Sequence, residues 1–104
     1  MDKNIKNKIE ELISSSKIFL FMKGDKEMPM CGFSRHVVEI LNVLEVEFEV
    51  FNVLEDDLIR DNIKEYAQWP TFPQLWFNKE LIGGCDIISE MFESGELSEL
   101  LKNN

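Results

Sequence analysis

Two thiols, Cys31 and Cys85, and a single imidazole, His36, are the side chains here best suited to nucleophilic or metal chemistry. Cys31 lies in the stretch MPMCGFSRH, residues 28–36. A cysteine at position 34 would complete a Cys-x-x-Cys redox pair, but Ser34 stands there instead. With no such pair and one histidine, the chain shows no zinc pattern. A lone cysteine is most often a small buried apolar residue. Pro29 before it and Gly32 after it make a poor context for core packing and a good one for close backbone approach by a ligand. If Cys31 opens a helix, the unpaired N–H groups and the positive end of the helix dipole favour thiolate over thiol. Such a thiolate can exchange disulfides or ligate metal. His36 reads as an ordinary helix-surface side chain.

The elements that must position Cys31 can be read from periodicity. Ile5, Ile9, Leu12 and Ile13 fall at helical spacing, predicting an amphipathic helix over 3–14. The run KIFLFMK, residues 17–23, is apolar on both faces and predicts a central strand covered on both sides. From Ser34, the stripe Val37, Val38, Leu41 and Leu44 predicts a second helix facing a core. VEFEVFNV, residues 46–53, alternates as a strand does. After Glu55, Asp56 and Asp57, a third helix carries Leu58, Ile59, Ile63, Tyr66 and Ala67. Residues 73–84 read as a hairpin turning at Asn78-Lys79, and a last helical region opens at Cys85 and divides near Gly95. Strands joined through a helix lie parallel and a hairpin is antiparallel. The expected fold is therefore α/β, a central four-stranded mixed sheet flanked by helices.

At 104 residues the chain is expected to form one domain, 1–104. No apolar stretch approaches the roughly 20 residues of a membrane span, so no membrane partner is expected. A formal charge of −9 repels phosphate backbones, so no nucleic acid is expected either. The N-terminal stretch lacks an apolar leader core, and two cysteines without a secretion signal suit a reducing compartment. The expected localisation is cytoplasmic and bacterial in type, or an organelle matrix if the chain is a processed form.

CGFS at 31–34, WPTFPQL at 69–75 and GGCD at 83–86, together with MKGD and the extended loop before Cys31, resemble a monothiol glutaredoxin of the CGFS class. The similarity runs from about Ile9 to Leu101. It implies the thioredoxin fold and a glutathione site. Glutathione carries two carboxylates, one ammonium, two peptide units and a thiol, so its site needs cations at one end and an acid at the other. By resemblance, Lys23 and Arg60 take the glycyl carboxylate and Asp86 the γ-glutamyl ammonium. The N–H groups of Cys85 and Asp86 suit the γ-glutamyl carboxylate. Pro73 is expected to be cis, leaving Phe72 to pair main chain to main chain with the cysteinyl part, with Thr71 beside it. Gly32, Phe33 and Gly84 complete the implied glutathione site, while Trp69 reads as a packing and dimer-surface residue.

Ser34 cannot resolve a mixed disulfide, so the resemblance implies another use for Cys31. A 2Fe-2S cluster takes four thiolates as a rule. Two copies of Cys31 and two glutathione thiols supply them, which implies a homodimer when cluster-bound and transfer of the cluster to apo iron-sulfur proteins. The alternative is a glutathione-dependent oxidoreductase acting on glutathionylated thiols through Cys31, resolved by free glutathione or by a disulfide with Cys85. A third is a regulatory adaptor with BolA-like proteins as partners. Cys31 and Cys85 from two chains also make four thiols, so the Cys85 side chain reads either as a redox partner of Cys31 or as part of an all-protein set, beside the backbone contact to glutathione.

Overall fold

The computed structural model describes residues 1–102. Helix α1, Lys3–Ser14, starts where the Asp2 carboxylate accepts the Asn4 N–H at 2.7 Å. It buries Ile9 and Ile13, one turn apart on one face. Strand β1, Ile18–Met22, is buried at all five positions, so it requires cover on both faces. It pairs in parallel with β2, Glu49–Asn52, and antiparallel with β3, Gln74–Phe77. Strand β4, Glu80–Gly83, returns from β3 to complete the order β2-β1-β3-β4. The turn between them places Asn78 at φ 48° and Lys79 at φ 70°, both in the left-handed region whose twist matches a two-residue hairpin.

Alternation along the strands sorts the side chains into two cores. Ile18, Leu20, Met22, Leu75 and Phe77 face α2 (Gly32–Val43), α4 (Cys85–Ser94) and α5 (Glu96–Lys102), meeting Val37, Leu41, Ile88 and Leu97. Phe19, Phe21 and Trp76 face the opposite way, against Ile9 and Ile13 of α1 and Ile59 and Ile63 of α3 (Asp57–Ala67). Each fully buried side chain of this size contributes roughly 1.5–3 kcal/mol, whereas an exposed ion pair contributes about 0–1 kcal/mol. The sheet faces, not the Lys8–Asp56 pair at 3.3 Å, therefore hold α1 and α3 in place. Asp56 acts locally instead, its carboxylate capping α3 by accepting the Ile59 N–H at 3.0 Å.

Two boundaries and the facing of one side chain differ from the periodicity. The strand expected over 46–53 pairs only at Glu49–Asn52, opposite Phe19–Met22; in this parallel register only Ile18 of β1 remains beyond, so Val46 and Glu47 have no residue of β1 to face. Phe48 is still buried, packed into the α2 core from irregular backbone. Helix α2 begins at Gly32 rather than Ser34, with Cys31 in the capping position. Leu58 is 61 % exposed, since the buried stripe of α3 runs through Ile59 and Ile63 and Leu58 lies off it. No helix among the described residues is long and apolar enough to cross a membrane.

Candidate functional site

The chain leaving β1 turns at once. Gly24 has φ +90°, and a Cβ there would lie 2.4 Å from the Met28 carbonyl oxygen and 2.6 Å from the Met30 nitrogen. Only glycine fits this close approach. The loop is tied down by the Met30 N–H donating to the Lys23 carbonyl at 2.9 Å and by the Gly24 N–H donating to Asn52 Oδ1 at 2.9 Å. Lys26 closes it from outside, its ammonium 4.4 Å from the centre of the Phe48 ring. The result delivers Cys31 in extended conformation (φ −157°, ψ 139°) as the residue before α2, with its carbonyl accepting the Arg35 N–H at 2.9 Å.

That position sets the chemistry of the sulfur. Partial burial pushes the Cys31 thiol up, but the backbone N–H groups of Ser34 and Phe33, the Lys23 charge and the Ser34 hydroxyl outweigh it and hold the thiol below its ordinary value. Cys31 is therefore richer in thiolate near neutral pH than a free cysteine. Ser34 has a double role that the sequence did not reveal. It is fully buried, and its Oγ accepts the Lys23 N–H at 3.1 Å while its hydroxyl favours the Cys31 thiolate. The residue in place of a second cysteine thus joins the end of β1 to the reactive sulfur. Replacing Ser34 with alanine is expected to raise the Cys31 thiol pKa and to destabilise the fold by about 1–2 kcal/mol through the unpaired Lys23 N–H. Thiolate ultraviolet absorbance against pH and a denaturant melt measure the two effects; an unmoved titration would remove Ser34 from the site.

The opposite wall is the segment between α3 and β3. The Phe72–Pro73 peptide bond is cis, and the strand begins only at Gln74. Gln74 is fully buried and organises this segment: Nε2 donates to the carbonyls of Trp69 (3.1 Å) and Thr71 (3.4 Å), and Oε1 accepts the Trp76 indole N–H at 3.3 Å. Between this wall and Cys31 lies a cleft of about 880 Å³, toward the large end of small-molecule sites.

Its lining brings together most of the residues singled out in the sequence: Lys23, Cys31, Phe33, Arg60, Thr71, Phe72, Gly84, Cys85 and Asp86. Two lie outside the lining. Gly32 is exposed on the first turn of α2, and Pro73 is buried behind the wall. Leu54, Asp61, Lys64, Trp69, Pro70 and Ile87 line the cleft without having been assigned to it. Lys64 was legible, because it follows Arg60 by four residues and so shares its helix face. Its ammonium sits 5.8 Å from the centre of the Phe72 ring. Trp69 is not confined to packing: its ring walls the cleft, and its Nε1 is buried without a hydrogen-bond partner. A Cβ on Gly84 would meet that nitrogen at 3.3 Å, so a small residue at 84 lets the indole lie flush against the start of α4.

The cleft is electrically divided. Arg60 and Lys64 come from α3, on one side of the sheet, and Asp86 from the first turn of α4, on the other. Cys85 begins α4 in a half-buried position, 4.0 Å from the Ser89 hydroxyl, and both cysteines are free thiols. Among the described residues no group of three or more His, Cys, Asp or Glu side chains is placed to hold a metal ion. A molecule with a thiol in its middle, an anionic end and a cationic end matches this arrangement chemically.

The glutaredoxin family model matches residues 18–82, from β1 into β4. A probable monothiol glutaredoxin 2 of Rickettsia typhi is 54 % identical over 102 residues, spanning 98 % of this chain and 91 % of its own. The chloroplastic monothiol glutaredoxin-S14 of Arabidopsis thaliana is 53 % identical over 95 residues, 91 % of this chain and 55 % of that protein. The solution structure of reduced poplar apo GrxS14 superposes with a TM-score of 0.83 at 48 % identity, covering 95 % of this chain and 91 % of that one. With Ser34 where a second cysteine would make a dithiol, and with the sheet order and cis-proline wall described above, this chain belongs to the glutaredoxin family, among its monothiol members, and has their thioredoxin-like fold.

Proposed function

We propose that the protein binds glutathione in this cleft and, with it, carries a 2Fe-2S cluster to apoproteins. The observation that carries the reading is a single acidified thiol, Cys31, whose would-be partner position is a buried serine committed to hydrogen bonding. Membership of the monothiol glutaredoxins supports a glutathione-related redox role. Lys23, Arg60 and Lys64 suit the glycyl carboxylate, and Asp86 suits the γ-glutamyl ammonium. The free N–H groups where α4 begins at Cys85 suit the γ-glutamyl carboxylate. The cluster is cargo, and one chain offers it too few thiols: two cysteines against four ligands. Two Cys31 thiolates and two glutathione thiols make the set, so a second copy of the chain completes the site. Phe33, Leu54 and Ile87 on the cleft and Met30 beside Cys31 are 61, 45, 37 and 60 % exposed, an apolar rim suited to a docked macromolecule. A second copy, an apo iron-sulfur protein or a BolA-like protein would each seat there, in a reducing, cytoplasm-like compartment.

Anaerobic reconstitution with iron, sulfide and glutathione tests the reading. A glutathione-dependent 2Fe-2S spectrum eluting with a dimer is expected, and a colourless monomer would overturn it. The lowered Cys31 thiol also favours a second reading, thiol exchange. Here the Cys31 thiolate attacks the glutathione sulfur of a mixed disulfide and the protein thiolate leaves. A glutathione thiolate then attacks the Cys31–glutathione disulfide, freeing Cys31 and forming glutathione disulfide. Rapid turnover of a glutathionylated thiol by the colourless monomer would select this reading.

A further inference from the structure

Arg60 reaches the cleft with two carboxylates beside one edge of its guanidinium. Nε and Nη2 project from the same edge of a guanidinium, the edge that meets a carboxylate with two parallel hydrogen bonds. Asp57 Oδ1 lies 3.1 Å from Nη2, and Asp61 Oδ1 lies 3.6 Å from Nε. Two carboxylates of the same helix therefore lie against this edge as ion-pair partners, Asp57 the closer and Asp61 the looser. They are not equivalent. Asp57 stands one turn before Arg60, outside the cleft, with its side chain 78 % exposed. Asp61 lines the cleft beside Arg60 and Lys64, at the end where positive charge gathers.

An acid there works against an anionic ligand in two ways. It competes by charge for the Nε side of that edge, and it leaves a like charge beside the bound anion. Lys64 does not cancel it by pairing, since the ammonium lies toward the Phe72 ring and no Asp61–Lys64 ion pair forms among the described residues. We infer that Asp61 determines charge specificity at this end of the cleft. It weakens the hold on a thiol peptide with a free terminal carboxylate while leaving peptides with an amidated or esterified terminus unaffected. This rests on the glutathione reading above. It extends that reading to a ligand class, glutathione-type thiols with a neutral glycyl end, against which the wild-type chain discriminates less than a chain neutral at 61.

The test is a calorimetric titration of the wild type and of Asp61→Asn with reduced glutathione and with its glycyl ethyl ester, at low and high salt. The substitution is nearly isosteric, and the side chain is 67 % exposed, so the fold is retained. Asp61→Asn is expected to bind glutathione about two- to five-fold more tightly at low ionic strength, a gain that shrinks with salt, as exposed charge interactions do. The ester is expected to bind both proteins equally. An unchanged glutathione affinity, or an equal gain for both ligands, would overturn the inference while leaving the glutathione site standing. Failure of glutathione to bind either protein would overturn the reading of the cleft itself.

Discussion

Cys31→Ser is expected to abolish both cluster binding and thiol exchange and to leave the fold intact. The loss is complete because the serine hydroxyl is neither a thiolate near neutral pH nor a soft ligand for iron. No neighbour can substitute at that helix start, where Gly32, Phe33 and Ser34 follow. The fold tolerates the change because Cys31 stands only half-buried at the cleft and a serine oxygen can face the same first-turn N–H groups of α2. Serine is itself a favoured capping residue, so stability is expected to hold or rise slightly. Reconstituted iron content, thiol-exchange turnover and a thermal melt read the three consequences. A Cys31→Ser protein that keeps a normal cluster would move the iron ligand elsewhere. Cys85→Ser is the contrast. With glutathione as the second ligand its effect is mild, whereas complete loss of the cluster would mean an all-protein set of four thiols from two chains.

The largest stability effect is expected at Gln74, a residue with no part in thiol chemistry. Gln74→Ala removes three hydrogen bonds at once and leaves the carbonyls of Trp69 and Thr71 and the Trp76 indole N–H without their partner. At about 1 kcal/mol for each lost bond, with more where a buried group stays unpaired, the cost is about 3–4 kcal/mol. For a chain of this length that lowers the melting temperature by roughly 15 °C or more. A second consequence separates this from a generic core lesion. The Trp69–Phe72 segment walls the cleft, so glutathione affinity is expected to fall well below that of an equally destabilised variant such as Ile9→Ala, which lies in the core under α1. Calorimetric unfolding and glutathione titration of the two variants side by side decide it. Equal affinities would show that Gln74 holds the fold but not the wall.

These expectations depend on different degrees of locality. Helix α1 and the hairpin at Asn78-Lys79 were legible because helix and turn are set by neighbours in the chain. So was the burial of β1, since five consecutive apolar residues must be covered on both faces wherever the strand lies. The end of a strand is different. Val46–Phe48 alternate as well as Glu49–Asn52 do, but only the latter find a partner on β1, whose length is fixed in a distant part of the chain. Leu58 falls off the apolar stripe because spacing alone does not say which of two adjacent apolar residues faces the sheet.

The same division runs through the site. The order of residues along the chain is enough for the reactive group and its immediate field: one cysteine at a helix start, no second thiol three residues on, and a cis-proline segment and a second helix start carried by recognisable motifs. Those follow from covalent order, because residues 31 to 34 are held within one helical turn whatever the rest of the chain does. The company that group keeps depends on how distant segments pack. Ser34 accepts the N–H of Lys23, eleven residues back, and Trp69 lies against Gly84. Asp61 and Lys64 reach a cleft whose other wall is α4. These pairings arise because the sheet packs helices on both faces and leaves their starts and loops to converge at one end of its strands, a placement that no local run of residues specifies.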